Sequence, residues 1–122
     1  TRLLDYAKAK QIPVFAICRG TQMINQYCGG SLVPVKGHVA TRQVLEGDWA
    51  KEYGYVDVNS YHNFAITAAT MGKDLEPLAH TQDGVIKAIR HKKLPWLGIM
   101  WHPEREPSLP ETDKKLLTEL LS

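Results

Sequence analysis

Cysteine, bulky aromatics and net charge are all scarce here. Of 122 residues, two are cysteine, two phenylalanine and three tryptophan. Cys18 and Cys28 form no CxxC pair, and with the five histidines they match no zinc spacing, so no metal is expected. Two thiols do not make a stapled secreted scaffold. No apolar run approaches the ~20 residues that cross a bilayer, and no signal-peptide pattern opens the chain. These absences predict a reducing, cytoplasmic setting without a membrane partner. Charge of one sign is missing too: 15 basic residues against 13 acidic leave a net +2, no footprint for nucleic acid. Nor is there a repeat, a low-complexity tract or a linker, which predicts one domain over residues 1–122.

What is present is ordinary globular material, 43% hydrophobic and 23% charged, enough for one core. Arg2 to Gln11 reads as a helix, with Leu3, Leu4 and Ala7 at helical spacing. Pro13 ends it, and Ile12 to Ile17 forms a short apolar run suited to a strand buried on both faces. Beyond Cys18 and Gly20 the period turns helical through Met23, Ile24 and Tyr27, until Gly29-Gly30 stops it. Helix, buried strand, tight turn and helix predict an α/β fold with an open, mostly parallel sheet and flanking helices. Ser31 to Val35 reads as a short strand, and a polar loop holding His38, Arg42 and Asp48 follows. Tyr55 to Ser60, Leu78 to Thr81, Val85 to Arg90 and Trp96 to Trp101 read as strands. Gln82-Asp83-Gly84 joins two of them in an antiparallel hairpin. Pro110 opens a last helix to Ser122, with Leu116, Leu117, Leu120 and Leu121 on one face.

Chemistry concentrates at Phe15-Ala16-Ile17-Cys18-Arg19-Gly20-Thr21-Gln22. A strand that bends sharply into a helix puts one side chain at its apex, and small residues two before and two after let the backbone turn. Ala16 and Gly20 hold those positions, so Cys18 is the apex. The helix N-terminus is expected to favour its thiolate, and the Arg19 backbone N–H to face an oxyanion. A buried structural thiol fits the same pattern equally well, because small-x-Cys-x-Gly is loose.

A base decides between them. In Trp101-His102-Pro103-Glu104, the proline biases His102 to extended backbone. Residues two apart then share a side, so Glu104 can orient the imidazole. The pair follows a buried-looking strand, at the carboxyl end where open α/β sheets carry their sites. Trp101 is expected in the pocket wall, Cys28 in helix packing, and His38, His80 and His91 in solvent.

Taken together, AICRGTQ, NSYHN and MWHPE resemble the class I glutamine amidotransferase superfamily, and within it the γ-glutamyl-γ-aminobutyrate hydrolase group (peptidase C26). The resemblance implies a flavodoxin-like amidotransferase fold. It implies that Cys18 is the nucleophile, His102 the general base and acid, and Glu104 its orienter. Gln22 and the segment Asn59, Ser60, Tyr61 and His62 are implied to line the pocket of a small γ-glutamyl substrate, with no cofactor. Arg19 resembles the CRG form of the hydrolase group. NSYHNFAI and GHVATR resemble, more faintly, members that cleave γ-glutamyl nucleotide phosphoramidates in capsule synthesis. Family domains carry further strands and a glycine-rich loop before the bend. The chain therefore resembles a C-terminal half: either an upstream segment is lost or sits on another chain, or the oxyanion hole is incomplete.

The expected activity is hydrolysis of a γ-glutamyl amide through a γ-glutamyl thioester. Two other readings stay open: a glutaminase that gives ammonia to a synthetase partner, and a non-catalytic fragment. The amine released and any homo-oligomer are not encoded in these motifs.

Overall fold

A computed structural model describes residues 2–121, the last by its backbone alone. Thr1, Ser122 and the Leu121 side chain of the expected leucine stripe lie outside the described residues. Helix α1 (Arg2–Lys10) buries Leu4 and Ala7, while Leu3 is exposed. Strand β1 (Val14–Ile17) starts at Val14, not Ile12. Pro13 has no N–H to give a ladder, and the first ladder-side bond runs from Val14 N–H to Pro95 O at 3.0 Å. Cys18 alone separates β1 from helix α2 (Arg19–Tyr27).

That helix sits on the sheet through Thr21, Ile24 and Asn25, all buried, with Met23 outside. Its two buried polar residues are tied down. Thr21 Oγ1 donates to Ile99 O at 2.6 Å. Asn25 Nδ2 donates to Ser31 O and Thr70 O, and its Oδ1 accepts from the Gly72 N–H at 2.7 Å. Gly29, at φ +90°, ends the helix in a conformation that favours glycine.

Beyond it the chain forms β2 (Val33–Pro34), β3 (Val39–Val44), α3 (Asp48–Tyr53), β4 (Asp57–Tyr61), β5 (Phe64–Ala65), β6 (Leu75–His80), β7 (Ile86–His91) and β8 (Trp96–Ile99). A 3₁₀ turn (Pro103–Arg105) and helix α4 (Glu111–Leu121) complete it. The principal sheet has the order β1-β8-β7-β6. β1 and β8 are parallel, and β7 runs against both β8 and β6, the latter pair being the expected hairpin. The α/β open-sheet class holds. Within the described residues the sheet is mixed, its parallel part confined to β1 and β8.

One expectation is corrected. The supposed polar loop after Val35 is β3 and α3, with β3 pairing antiparallel to β4. β3 shows solvent on both faces, so no apolar alternation marked it as a strand. Ion pairs secure it instead: Arg42 bonds Asp57 on β4 and Glu106 beyond the 3₁₀ turn, both at 2.8 Å.

The core lies on both faces of the sheet. Under α1 and α2 are Ala16, Cys18, Ile24, Ile89, Trp96 and Met100; under α3 and α4 are Val58, Leu78, Ala88, Ile99, Trp101 and Leu116.

Candidate active site

Parallel pairing places the candidate residues at one end of the sheet. The register Ile17 to Ile99 aligns the carboxyl ends of β1 and β8. Cys18 follows one strand and His102 the other, and the Cys18 N–H donates to Ile99 O at 2.7 Å. At the bend Cys18 takes φ 48° and ψ −96°. A non-glycine residue there costs about 1–3 kcal/mol, which the surrounding structure must over-determine. Two observations show how it does. The Gln22 N–H closes the first helical turn onto Cys18 O at 3.0 Å. A Cβ on Gly20 would stand 3.2 Å from the Ala16 Cβ, so the bend has room only for small residues at both positions.

Cys18 is 7% exposed. Burial pushes its pKa up, against the lowering by Lys87, Arg105 and a hydrogen bond from the Arg19 N–H; Glu104 adds to the rise. The helix N-terminus acts in the expected direction through the Arg19 N–H. Desolvation outweighs it.

His102 is held from two sides. Asn59 clamps its backbone, Oδ1 accepting from the His102 N–H and Nδ2 donating to His102 O, both at 2.8 Å. Its Nδ1–H donates to Glu104 Oε2 at 2.7 Å, which leaves the Nε2 lone pair free as a base. Burial raises the Glu104 pKa, but the bond from His102, its own backbone N–H and Arg105 together hold it below the ordinary value. The extended pairing expected for residues 102 and 104 is replaced by the 3₁₀ turn at Pro103, with only His102 extended (φ −114°, ψ 91°). The two side chains meet all the same.

The other sequence-derived residues divide between support and surface. Gln22 Nε2 donates to Phe64 O at 3.1 Å, tying α2 to β5. Tyr61 stands edge-on to His102 at 6.1 Å, with the Arg105 guanidinium 4.3 Å over its ring. Ser60 is wholly buried and donates to His38 O at 3.0 Å. His62 is buried too, its Nδ1–H donating to Phe64 O at 2.9 Å. Burial and then the Lys87 charge push its pKa down to about 4, so the imidazole is neutral.

Two further expectations are corrected. His38 is 1% exposed, not solvated; it bonds Ser60 Oγ at 3.2 Å and Asp83 at 2.8 Å. Trp101 is 1% exposed and lines a cavity with Tyr55, Asn59 and Asp113 rather than the expected wall beside His102. It packs edge-on against Tyr55 and donates to Asp113 at 3.1 Å, under α4.

Lys87 escaped sequence reasoning altogether. It is fully buried on β7, and its Nζ lies 2.7 Å from Ser60 Oγ and 2.6 Å from His62 Nε2. The available signal was a lysine inside the apolar run Val85 to Ile89. A cavity of about 270 Å³ lined by Trp49, Tyr53, Arg90 and Trp96, among others, shares no residue with this cluster.

Comparison with known proteins bears on the family to which the chain belongs. The sequence profile of the Peptidase C26 family matches residues 1–104. The chain is 37% identical over 108 residues to the γ-glutamyl-CDP-amidate hydrolase of Campylobacter jejuni, covering 88% of this chain and 50% of that protein. It is 33% identical over 129 residues to anthranilate synthase component 2 of Azospirillum brasilense, covering 98% and 63%. A glutamine amidotransferase structure from Thermotoga maritima superposes with a TM-score of 0.71 at 18% identity, covering 97% of this chain and 50% of that one. The chain thus spans about half the length of the Campylobacter and Thermotoga proteins.

Proposed function

The chain belongs to the Peptidase C26 family, and from that premise we propose that it hydrolyses a γ-glutamyl amide with Cys18 as nucleophile. The observation that carries the proposal is the strained Cys18 at the end of β1, beside the strand that leads to the clamped His102–Glu104 pair.

Cys18 Sγ attacks the δ-carbonyl carbon as His102 Nε2 takes the thiol proton. The Arg19 N–H steadies the oxyanion, with a second, upstream donor of the kind the family resemblance implies. Collapse breaks the C–N bond, and His102 passes its proton to the departing nitrogen, leaving a γ-glutamyl thioester. His102 then takes a proton from water, whose oxygen attacks the thioester carbon. Glutamate leaves and the thiol is restored. Glu104 fixes the imidazole tautomer throughout, and Gln22, Asn59, Ser60, Tyr61 and His62 shape or support the glutamyl pocket. The setting proposed is cytoplasmic.

The name of the Campylobacter relative points to a nucleotide phosphoramidate as the leaving group to test first. The assay is glutamate release by the full-length protein from γ-glutamyl-CDP-amidate, γ-glutamyl-γ-aminobutyrate and glutamine. Cys18→Ala is expected to abolish release from whichever is turned over; a variant with most of its activity left contradicts the proposal.

A second reading has an observation of its own, the likeness to a component of anthranilate synthase. In it the domain hydrolyses glutamine for a synthetase partner. Glutamine turnover that rises strongly on adding such a partner favours this reading, and turnover that needs none favours the free hydrolase.

A further inference from the structure

Lys87 poses a physical problem, and the proposed reaction makes no use of it. A lysine is almost never fully buried unless it is paired, and isolated buried ammonium groups are costly. Lys87 has no exposed surface, yet among the described residues no carboxylate forms an ion pair with it. Its two polar partners are uncharged. His62 donates from Nδ1 to Phe64 O, so its Nε2 can only accept from the lysine. Ser60 Oγ is the other acceptor, its own proton directed to His38 O. An ammonium has three donors, and these contacts use two.

The topology shows where the remaining one can work. β7 is antiparallel to β8, so β7 begins at the end of the sheet where β1 and β8 finish. Lys87 O accepts the Met100 N–H at 2.8 Å, and Ile99 O accepts the Cys18 N–H at 2.7 Å. Lysine, thiol and the approach to His102 are thus stitched to consecutive residues of β8 and its exit. Along β7, Ala88 faces the core under α3 and α4, while Ile89 and Met100 join the core that contains Cys18.

We propose that Lys87 is a positioning residue of the thiol site: its ammonium, aimed by Ser60 and His62, is the counter-ion against which the Cys18 thiolate forms. The proposal rests on the reading of Cys18 as nucleophile, and it adds what supplies the charge that burial denies. The charged groups facing Cys18 are Lys87 on β7 and Glu104 and Arg105 in the 3₁₀ turn. Those facing Lys87 are Cys18 and Asp83, and Asp83 is already bonded by His38. Of the cations that lower the thiol pKa, Lys87 acts most strongly. Desolvation brings the lysine itself down to about 8, and the thiolate opposes that shift.

The test reads ionisation, not turnover. Cys18 alkylation by iodoacetamide is followed against pH in the full-length protein, with peptide mapping to separate Cys28. At pH 7, where Lys87 keeps its proton, Lys87→Met is expected to slow alkylation of Cys18 about tenfold, and Lys87→Arg to restore most of the rate. If Lys87→Met does not fold, the reciprocal experiment decides: NMR titration of the Lys87 ammonium in Cys18→Asp, whose carboxylate stands where the thiolate would form. That variant is expected to raise the lysine midpoint above about 8. An unchanged alkylation rate in Lys87→Met, or an unchanged lysine midpoint in Cys18→Asp, overturns the proposal. A slowed rate in a protein whose Cys18→Ala variant still turns over substrate would keep the ion pair and sink the nucleophile assignment.

Discussion

At the scale of single residues, the site depends on side chains that hold other residues in place. Asn59 makes two hydrogen bonds to the backbone of His102 and none to a reacting atom. Its amide locks the imidazole relative to Cys18, and small misplacements of a base are expensive in rate. Asn59→Ala is therefore expected to lower kcat about tenfold to a hundredfold with a smaller change in KM. Steady-state kinetics check this, and a rise in KM alone would assign Asn59 to substrate binding. The placement of Cys18 and Arg19 at the bend was legible in the sequence because small residues flank it; His102 and Glu104 were expected side by side and are, but on a 3₁₀ turn rather than extended backbone. Lys87 and His38 were not legible. Their surroundings are assembled from β4, β7 and the turn at Asp83, and no local pattern reports a long-range hydrogen bond.

At the scale of elements, α2 packs against β8 where Thr21 meets Gly98, and the absence of a side chain on Gly98 leaves room for it. A Cβ there would meet Thr21 Oγ1 at 2.7 Å and Cγ2 at 2.8 Å, and Thr21 is wholly buried with its hydroxyl committed to Ile99 O. Gly98→Ala is expected to destabilise the fold by about 1–3 kcal/mol through overpacking, read as a lower urea midpoint; an unchanged midpoint would show that the helix can shift. The helix–strand–bend–helix opening and the β6–β7 hairpin were readable because apolar period and turn residues agree there. β3 was not, since its residues are held by Arg42 and its carboxylate partners rather than by an apolar face. The 3₁₀ turn at Pro103 was also out of reach, because proline fixes its own φ and biases its predecessor without dictating the path of the residues after it.

Across the whole molecule, the polar cluster behind the site makes stability depend on pH. His62 stays neutral in the fold down to about 4, whereas its ordinary value is 6.5. Between these values the unfolded chain takes a proton that the folded chain refuses. The stability due to this difference is thus full above about 6.5 and is lost as pH falls toward about 4. Urea midpoints measured across that window should fall more steeply in the wild type than in His62→Gln. Equal slopes would mean that His62 is not held neutral. The sheet carries a second property of the whole. β1 and β6 are its two edge strands within the described residues, and an unpaired strand edge is a place where further chain can pair. The chain spans about half of the Campylobacter and Thermotoga proteins.

The measurement that tests the central claim most directly is labelling of the full-length protein with a diazoketone analogue of glutamine, followed by peptide mapping. The account predicts modification of Cys18 and not Cys28, prevented by an excess of a γ-glutamyl amide and lost in His102→Ala. Equal modification of both thiols, or labelling of Cys18 that no γ-glutamyl compound prevents, would contradict it.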